Sequence, residues 1–318
     1  MPLKKYLSII IKIVIVFFSF YFIYQQLVEN KSFEELDISV LIDTVKKNKV
    51  YLVGVILMMF LNWLVEALKW RYMISKIENI SIMTAYRAVF TGITVSTFTP
   101  NRIGEYGGRV FCLEKGDRIK AVFITVLCSM SQLLVTILYG SISLFILFDE
   151  ILIDKTFLSV SLLILLNLFL LFSYFNISHI INFLGKFKLI KSFKKYLEVL
   201  VMYNYKDLII AFIYSNSRYF IFSLQFIILL HVFGINISFM DAILSVMLIF
   251  FFITITPTIT IAEIGVRGSV AIFVLGLFSS NDIAILSSTT LLWLINLIIP
   301  AIIGSFFIFS LKFFRSKL

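Results

Sequence analysis

Six apolar stretches, near residues 7–25, 50–68, 119–147, 156–175, 207–232 and 282–311, are each long enough to cross the roughly 30 Å hydrocarbon core of a bilayer as a helix. Inside lipid every backbone polar group must find its partner within the protein, which leaves helices and closed barrels; runs of this length select helices. Two further apolar stretches, 82–116 and 239–278, are interrupted by Thr-Pro and then by charged, glycine-bearing sequence, so they read as broken, re-entrant elements. The expected fold is all-α: one polytopic membrane helix bundle over residues 1–318, with about six spanning helices and two re-entrant broken helices. A soluble class is excluded, because 60% of the residues are hydrophobic and only 14% are charged.

The net charge of +10 does not point to nucleic acid, because the basic residues sit between apolar runs, where the positive-inside rule accounts for them. With both interrupted stretches re-entrant, the flanks 1–6, 69–87, 102–120, 176–206 and 312–318 fall on one side and hold most of the Lys and Arg. The other side holds Lys31, Lys46, Lys47, Lys49 and Lys155 among many acidic residues. This asymmetry predicts a multi-pass protein of the plasma (inner) membrane with both termini cytoplasmic. Lys4 and Lys5 precede an apolar run without a small-residue cleavage site, the pattern of an uncleaved anchor. A cytoplasmic amphipathic connector is expected over 186–206, with Ile190, Phe193, Leu197 and Val201 on its apolar face. Cys112 and Cys128 form no disulfide framework, and His179 and His231 are too few for a zinc site, so neither metal nor cofactor is expected.

The chain repeats itself. Asn79-Ile80-Ser81-Ile82-Met83-Thr84-Ala85 matches Asn236-Ile237-Ser238-Phe239-Met240-Asp241-Ala242 at five of seven positions, and Thr99-Pro100 then aligns with Thr256-Pro257 without a gap. One residue later in register, Glu105-Tyr106-Gly107-Gly108-Arg109 matches Glu263-Ile264-Gly265-Val266-Arg267; both read Glu-x-Gly-x-Arg. The first repeat covers about 50–147 and the second about 207–311. The charge asymmetry places an odd number of crossings between them, which makes the repeat inverted, as in many secondary transporters.

Proline lacks an N–H and disfavours helix in the residue before it, so Pro100 and Pro257 are expected to break the incoming helices. A second half-helix then carries Glu-x-Gly-x-Arg, its free N–H groups favouring an anion. Glu and Arg four apart share a helix face and can pair, Arg offers a planar fork for phosphate oxygens, and Gly107 and Gly265 are expected to allow close backbone approach. The candidate substrate-binding residues are Arg102, Glu105, Arg109, Glu263 and Arg267, with Arg109 and Arg267 gripping a phosphate from opposite halves and Glu105 or Glu263 taking up a proton. Two residues outside the motif join them: Arg218, halfway along the fifth span, and Glu66, which shares a face with Asn62 and Lys69. Lys69, Asn62, Trp63 and Trp70 read mainly as interface anchors, and the Phe residues as lipid-facing bulk.

The run from Thr99 to Arg109, Thr-Pro-Asn-Arg-Ile-Gly-Glu-Tyr-Gly-Gly-Arg, with the second Pro…Gly-Val-Arg element at 257–267, resembles the transmembrane region of lysylphosphatidylglycerol synthases. The resemblance covers nearly the whole chain and implies a lipid flippase whose partners are anionic or phosphate-bearing membrane lipids. In the full-length synthases a separate soluble domain transfers the amino acid; because this chain ends at Leu318, soon after the last span, synthase activity is not expected. The leading expectation is a flippase-like transporter of a phospholipid or polyprenyl-phosphate carrier. The alternatives are a membrane-embedded transferase acting on a lipid head group, with Glu105 or Glu263 as base, and a non-transporting scaffold for envelope biogenesis. A homo-oligomer or an envelope-biosynthesis partner fits each of them.

Overall fold

The computed structural model describes residues 38–99, 102–147, 157–187, 194–256 and 263–309, with Ile10, Ile13, Val14, Phe17 and Tyr21. Most of the expected first span at 7–25, both proline breaks (Pro100 and Pro257), residues 188–193 of the connector and the two termini lie outside the described residues. Within them all regular structure is helical. The chain runs through α1 (Ile38–Lys47), α2 (Lys49–Ile74), α3 (Ile82–Ser96), α4 (Gly104–Val110) and α5 (Arg118–Ile146). It continues through α6 (Phe157–Phe175), α7 (Ile177–Leu184), α8 (Lys194–Val201), α9 (Tyr205–Val232), α10 (Phe239–Ile255) and α11 (Glu263–Leu275). The last span is α12 (Asp282–Trp293), a π-helical turn (Leu294–Ile298) and α13 (Ile299–Ile308).

Among the described residues three helices are long and apolar enough to cross a membrane: α2, α5 and the Asp282–Ile308 run. The α6–α7 pair adds a fourth if its 81° bend is counted as a broken span. Helix α9 is equally long at 28 residues, but Ser215-Asn216-Ser217-Arg218 interrupts its apolar run at the middle. Outward-facing Leu162, Leu165, Phe169 and Phe172 on α6 and Val50, Val53, Leu57 and Leu61 on α2 present the apolar surface that a lipid environment requires.

The repeated heptapeptide is a pair of helix starts. Ser81 accepts the Thr84 N–H and Ser238 accepts the Asp241 N–H, so each caps the helix that opens a broken element. The ends match as well. The hydroxyl of Thr99 points back to the Val95 carbonyl at 3.3 Å and that of Thr256 to the Phe252 carbonyl at 2.7 Å, both four residues earlier. After the first break α4 folds back along α3. A Cβ at Gly108 would lie 2.8 Å from the Gly92 Cα and 3.0 Å from the Thr91 carbonyl oxygen, so only glycine lets the two backbones meet there. Gly104 lies opposite Thr99, and Gly108 opposite Gly92, which makes α3–α4 an antiparallel, re-entrant hairpin.

Contacts give the directions of the helices. On α2 and α9, Tyr51 meets His231, the Gln225 amide donates to the Val55 carbonyl at 2.8 Å, Glu66 meets Arg218, and Tyr72 donates to Asp207 at 2.7 Å. Corresponding helices of the two halves therefore run antiparallel, and the repeat is inverted. The halves also exchange partners. Thr94 on α3 donates to the Ala301 carbonyl of α13 at 2.8 Å, while Ser143 on α5 donates to the Leu244 carbonyl of α10 at 2.6 Å. Each half lays its broken element along the last span of the other. At these crossings a Cβ on Gly304 would overlap the Phe90 carbonyl, and one on Gly140 would overlap Phe251. Between helices already in lipid, such small residues and interhelical hydrogen bonds provide the association that hydrophobicity does not.

The basic flanks gather at one end of the bundle. Lys76 pairs with Asp207 at 3.0 Å, Tyr203 donates to the Met73 carbonyl at 2.6 Å, and the Glu78 carboxylate accepts the N–H groups of Glu114, Lys115 and Gly116. Within α8 it is Val199 and Leu200 that are buried, with Leu197 and Val201 only partly so, because the helix docks on α5 and α7 rather than lying free on a surface.

Candidate functional site: a cation-rich cavity between the inverted halves

Helix α2 carries a polar stripe at helical spacing through an apolar span: Asn62, Glu66 and Lys69. All three are buried, as are Trp63 and Trp70, which corrects the interface-anchor reading; α3, α5 and α9 cover the face that carries them. Trp70 donates to the Thr125 hydroxyl at 3.0 Å.

Glu66 is the centre of an ion cluster. Its carboxylate meets Lys69 Nζ at 2.8 Å, Arg109 Nη1 at 2.8 Å and Arg218 Nη1 at 3.0 Å. Lys69 uses its other donors on the Cys128 carbonyl and the Ser215 hydroxyl, both at 3.2 Å, and Ser215 in turn bonds Ser131 at 2.7 Å. An ammonium has three donors, and each has an acceptor here. Charges this deep are tolerated only when paired and hydrogen-bonded, because desolvation otherwise outweighs their attraction.

The Glu-x-Gly-x-Arg motif enters the cluster through Arg109, whose second terminal nitrogen pairs with Glu105 one helical turn earlier, as the i,i+4 spacing predicts. Arg109 is 2% exposed and is not on the cavity wall. The expectation that it grips a ligand gives way to a structural one: Glu66, brought in from α2, competes for its guanidinium and ties the re-entrant hairpin to the bundle. Gly107 is also corrected. A Cβ there would meet nothing within 4 Å; it is Gly108, turned by one residue toward α3, that makes the close approach. In the second half a Cβ at Gly268 would meet only the Leu286 side-chain methyl, at 2.6 Å, while Gly265 is half-buried in the first turns of α11. At the start of α4 the Thr99 hydroxyl takes the Gly104 N–H at 2.9 Å, so that donor is not open to an anion.

Beside the cluster lies a cavity of about 350 Å³. Its walls come from both halves: Asn62, Trp63, Glu66 and Lys69 of α2; Arg102 and Glu105 at the first break; Ser129, Gln132 and Thr136 of α5. Facing them are Arg218, Tyr219 and Phe222 of α9, Phe250 and Thr254 of α10, Arg267 of α11, and Trp293 and Asn296 at the π turn. Of the expected residues Glu66, Arg102, Glu105, Arg218 and Arg267 thus share one wall system, Arg109 stands behind it, and the Glu263 side chain lies outside the described residues. Among the described lining residues Lys69, Arg102, Arg218 and Arg267 outnumber Glu66 and Glu105. Arg218 is oriented by stacking over Trp63, 4.4 Å from ring centre, and its Glu66 bond uses one end of the fork. Arg102 adopts a left-handed backbone, φ +56°, a conformation that costs a non-glycine residue about 1–2 kcal/mol and turns the chain into the break.

Several lining residues were not singled out from sequence: Gln132, Tyr219, Trp293 and Asn296. A signal existed for the last two. Pro300 has no N–H for the Asn296 carbonyl four residues earlier, and the helix answers with a π turn in which the Ile299 N–H reaches Leu294, five residues back. An Asn and a Pro within an apolar span mark such a site. Phe222 and Phe250 stack at 4.9 Å in the wall, so these two are not lipid-facing bulk. No group of His, Cys, Asp or Glu able to hold a metal ion occurs among the described residues.

Comparison with known proteins agrees with this geometry at the level of family. Curated proteins and solved structures give no match. The description of the lysylphosphatidylglycerol synthase TM region matches residues 9–304. That match takes in the first repeat, all but the last few residues of the second and every described residue of the cavity, and the chain, a multi-pass membrane protein, belongs to the lysylphosphatidylglycerol synthase transmembrane region family.

Proposed function

We propose that this membrane domain is a flippase-like transporter that moves a phosphate-bearing lipid, a phospholipid or a polyprenyl-phosphate carrier, across the plasma membrane, with both termini cytoplasmic. The observation that carries the reading is the cavity lined by helices of both inverted halves, with Lys69, Arg102, Arg218 and Arg267 among its described residues. A lipid crossing a bilayer needs a polar shelter for its head group only, since its tails are at home in the hydrocarbon. Rocking of one repeat against the other exposes such a shelter to the two sides in turn. Arg102 and Arg267 bring guanidinium groups from opposite halves, and guanidinium is suited to phosphate oxygens. The Glu66 cluster ties α2, α4 and α9 together and keeps Arg218 at the wall.

The test is transfer of fluorescent-tailed anionic lipids between leaflets of proteoliposomes. The protein is expected to accelerate transfer, and the Arg102→Gln, Arg267→Gln double variant to lose about tenfold or more, the scale of one or two charge-assisted hydrogen bonds. Equal rates with and without protein across several anionic lipids would defeat the proposal.

A further inference from the structure

The two half-helices that carry Glu-x-Gly-x-Arg are not held alike. Three contacts tie α4 to the rest of the bundle. Arg109 is buried and bonds Glu66 of α2 at 2.8 Å. Gly108 brings the backbone of α4 against that of α3 at Gly92. Just beyond α4, the consecutive N–H groups of Glu114, Lys115 and Gly116 all donate to the Glu78 carboxylate, at 3.1, 3.0 and 2.6 Å. Moving α4 breaks charge-assisted bonds, one of them between fully buried groups, and such bonds are costly to lose.

The repeat shows what stands at the same places around α11. The register that aligns Thr99 with Thr256, carried back through the spans, pairs Asn62 with Tyr219, both on the cavity wall, and Met73 with Leu230, both buried. In that register Glu66 corresponds to Ser223, whose buried hydroxyl has no hydrogen-bond partner among the described residues. Glu78 corresponds to Ile235, which is buried and apolar. Gly92 corresponds to Ile249 and, past the one-residue insertion, Gly108 to Val266; their side chains hold apart backbones that glycine lets meet.

What α11 touches instead slides more readily. Phe273, well inside α11, meets Phe252 near the end of α10 edge to face at 6.2 Å, so α11 folds back along α10. Toward α12, a Cβ at Gly268 would meet only a Leu286 methyl. Packed helices shear past one another over apolar contacts of this kind. Arg267 lies on the cavity wall, whereas Arg109 stands behind it.

We infer that α11 is the movable gate of the cavity and α4 its fixed counterpart, so that the part of the second repeat that rocks is this half-helix. The inference rests on the reading of the cavity as a transport site. Displacement of α11 carries Arg267 with it and changes access from one end of the bundle, while the wall at Arg102 and Glu105 keeps its place beside α4.

The test uses the full chain in lipid nanodiscs, in a Cys112→Ala, Cys128→Ala background. Gly107→Cys on α4 and Ser269→Cys on α11 each carry a spin label paired with one at Leu57→Cys, an exposed position of α2. The α4 distance is expected to be single and narrow, and the α11 distribution at least about twice as wide or split in two. In proteoliposomes, Gly268→Cys with Leu286→Cys lets a disulfide join α11 to α12, the change at 286 removing the methyl that a side chain at 268 would meet. Oxidised, that variant is expected to lose about tenfold or more of lipid transfer, and dithiothreitol to restore it, which reports an intact fold. Equal widths, a wider α4 distribution, or transfer indifferent to the disulfide overturns the inference. If the unmodified protein moves no lipid, the flippase reading falls alone, and the two distances still decide which half-helix moves.

Discussion

The first half of the bundle closes on an unbroken helix, α5, from Arg118 to Ile146, whereas the second closes on α12 and α13 with a π turn between them. Elsewhere the correspondence is close: Ser81 and Ser238 cap equivalent helices, and Gly140 and Gly304 make equivalent crossings. At the cavity the halves diverge. Helix α5 presents small and amide side chains, Ser129, Gln132 and Thr136, while the π turn presents Trp293 and Asn296. Likewise α2 supplies the carboxylate of Glu66 and α9 the guanidinium of Arg218 that answers it. The caps and the glycine crossings are repeated, and the ion cluster and the lining of the space between the halves are not. An inverted repeat with identical walls would present the same groups twice; this one lines the space with cations, amides and aromatic faces.

The largest expected effect tests the unequal part. Glu66→Gln leaves Lys69, Arg109 and Arg218 buried around a neutral amide, and a loss of about 3–5 kcal/mol is expected in unfolding of the detergent-purified protein. A loss below about 1 kcal/mol, the range of an exposed pair, would show that the cluster does not join the halves. The crossings come next. Gly304→Ala drives a Cβ into the Phe90 carbonyl and Gly140→Ala drives one into the Phe251 Cβ, neither of which a rotamer change relieves. Each is expected to cost about 1–3 kcal/mol by thermal unfolding, and a large difference between them would break the equivalence.

The caps are expected to be equal and smaller. Ser81→Ala and Ser238→Ala should each cost about 1 kcal/mol by the same measurement. Pro300→Ala is expected to change stability least, by under about 1 kcal/mol, because the restored N–H offsets the lost rigidity of the unfolded chain. It should nonetheless slow lipid transfer, since closing the π turn rotates Trp293 and Asn296 on the wall. Unchanged transfer in that variant would mean that the asymmetry of the two closing spans has no functional weight.

Much of the architecture was legible because it depends on neighbours in the chain. Apolar length predicted the helices, and the repeated heptapeptide and Thr-Pro pairs predicted where each broken element begins and stops, since caps and breaks are decided within four or five residues. The charge asymmetry gave the inversion, which the antiparallel pairing of α2 with α9 bears out. Among the site residues the Glu105–Arg109 pair followed from its spacing alone. Gly107 was expected at the close contact, which falls instead at Gly108, and Arg109 is held by Glu66 of α2; a spacing rule supplies neither the rotation about the helix axis nor a partner from another helix.

The sequence by itself determined that this chain is a membrane helix bundle, that it is built twice in opposite directions, and that each copy carries a charged break, because those properties follow from local backbone chemistry and the bilayer's demand for internal hydrogen bonds. Tertiary structure alone decided that Glu66 meets Arg109 and Arg218 from two other helices, and that Asn62, Gln132, Arg267 and Asn296 surround one space. Residues up to about 230 positions apart become neighbours there, and the Coulomb attraction that joins them falls off with distance in space, not along the chain.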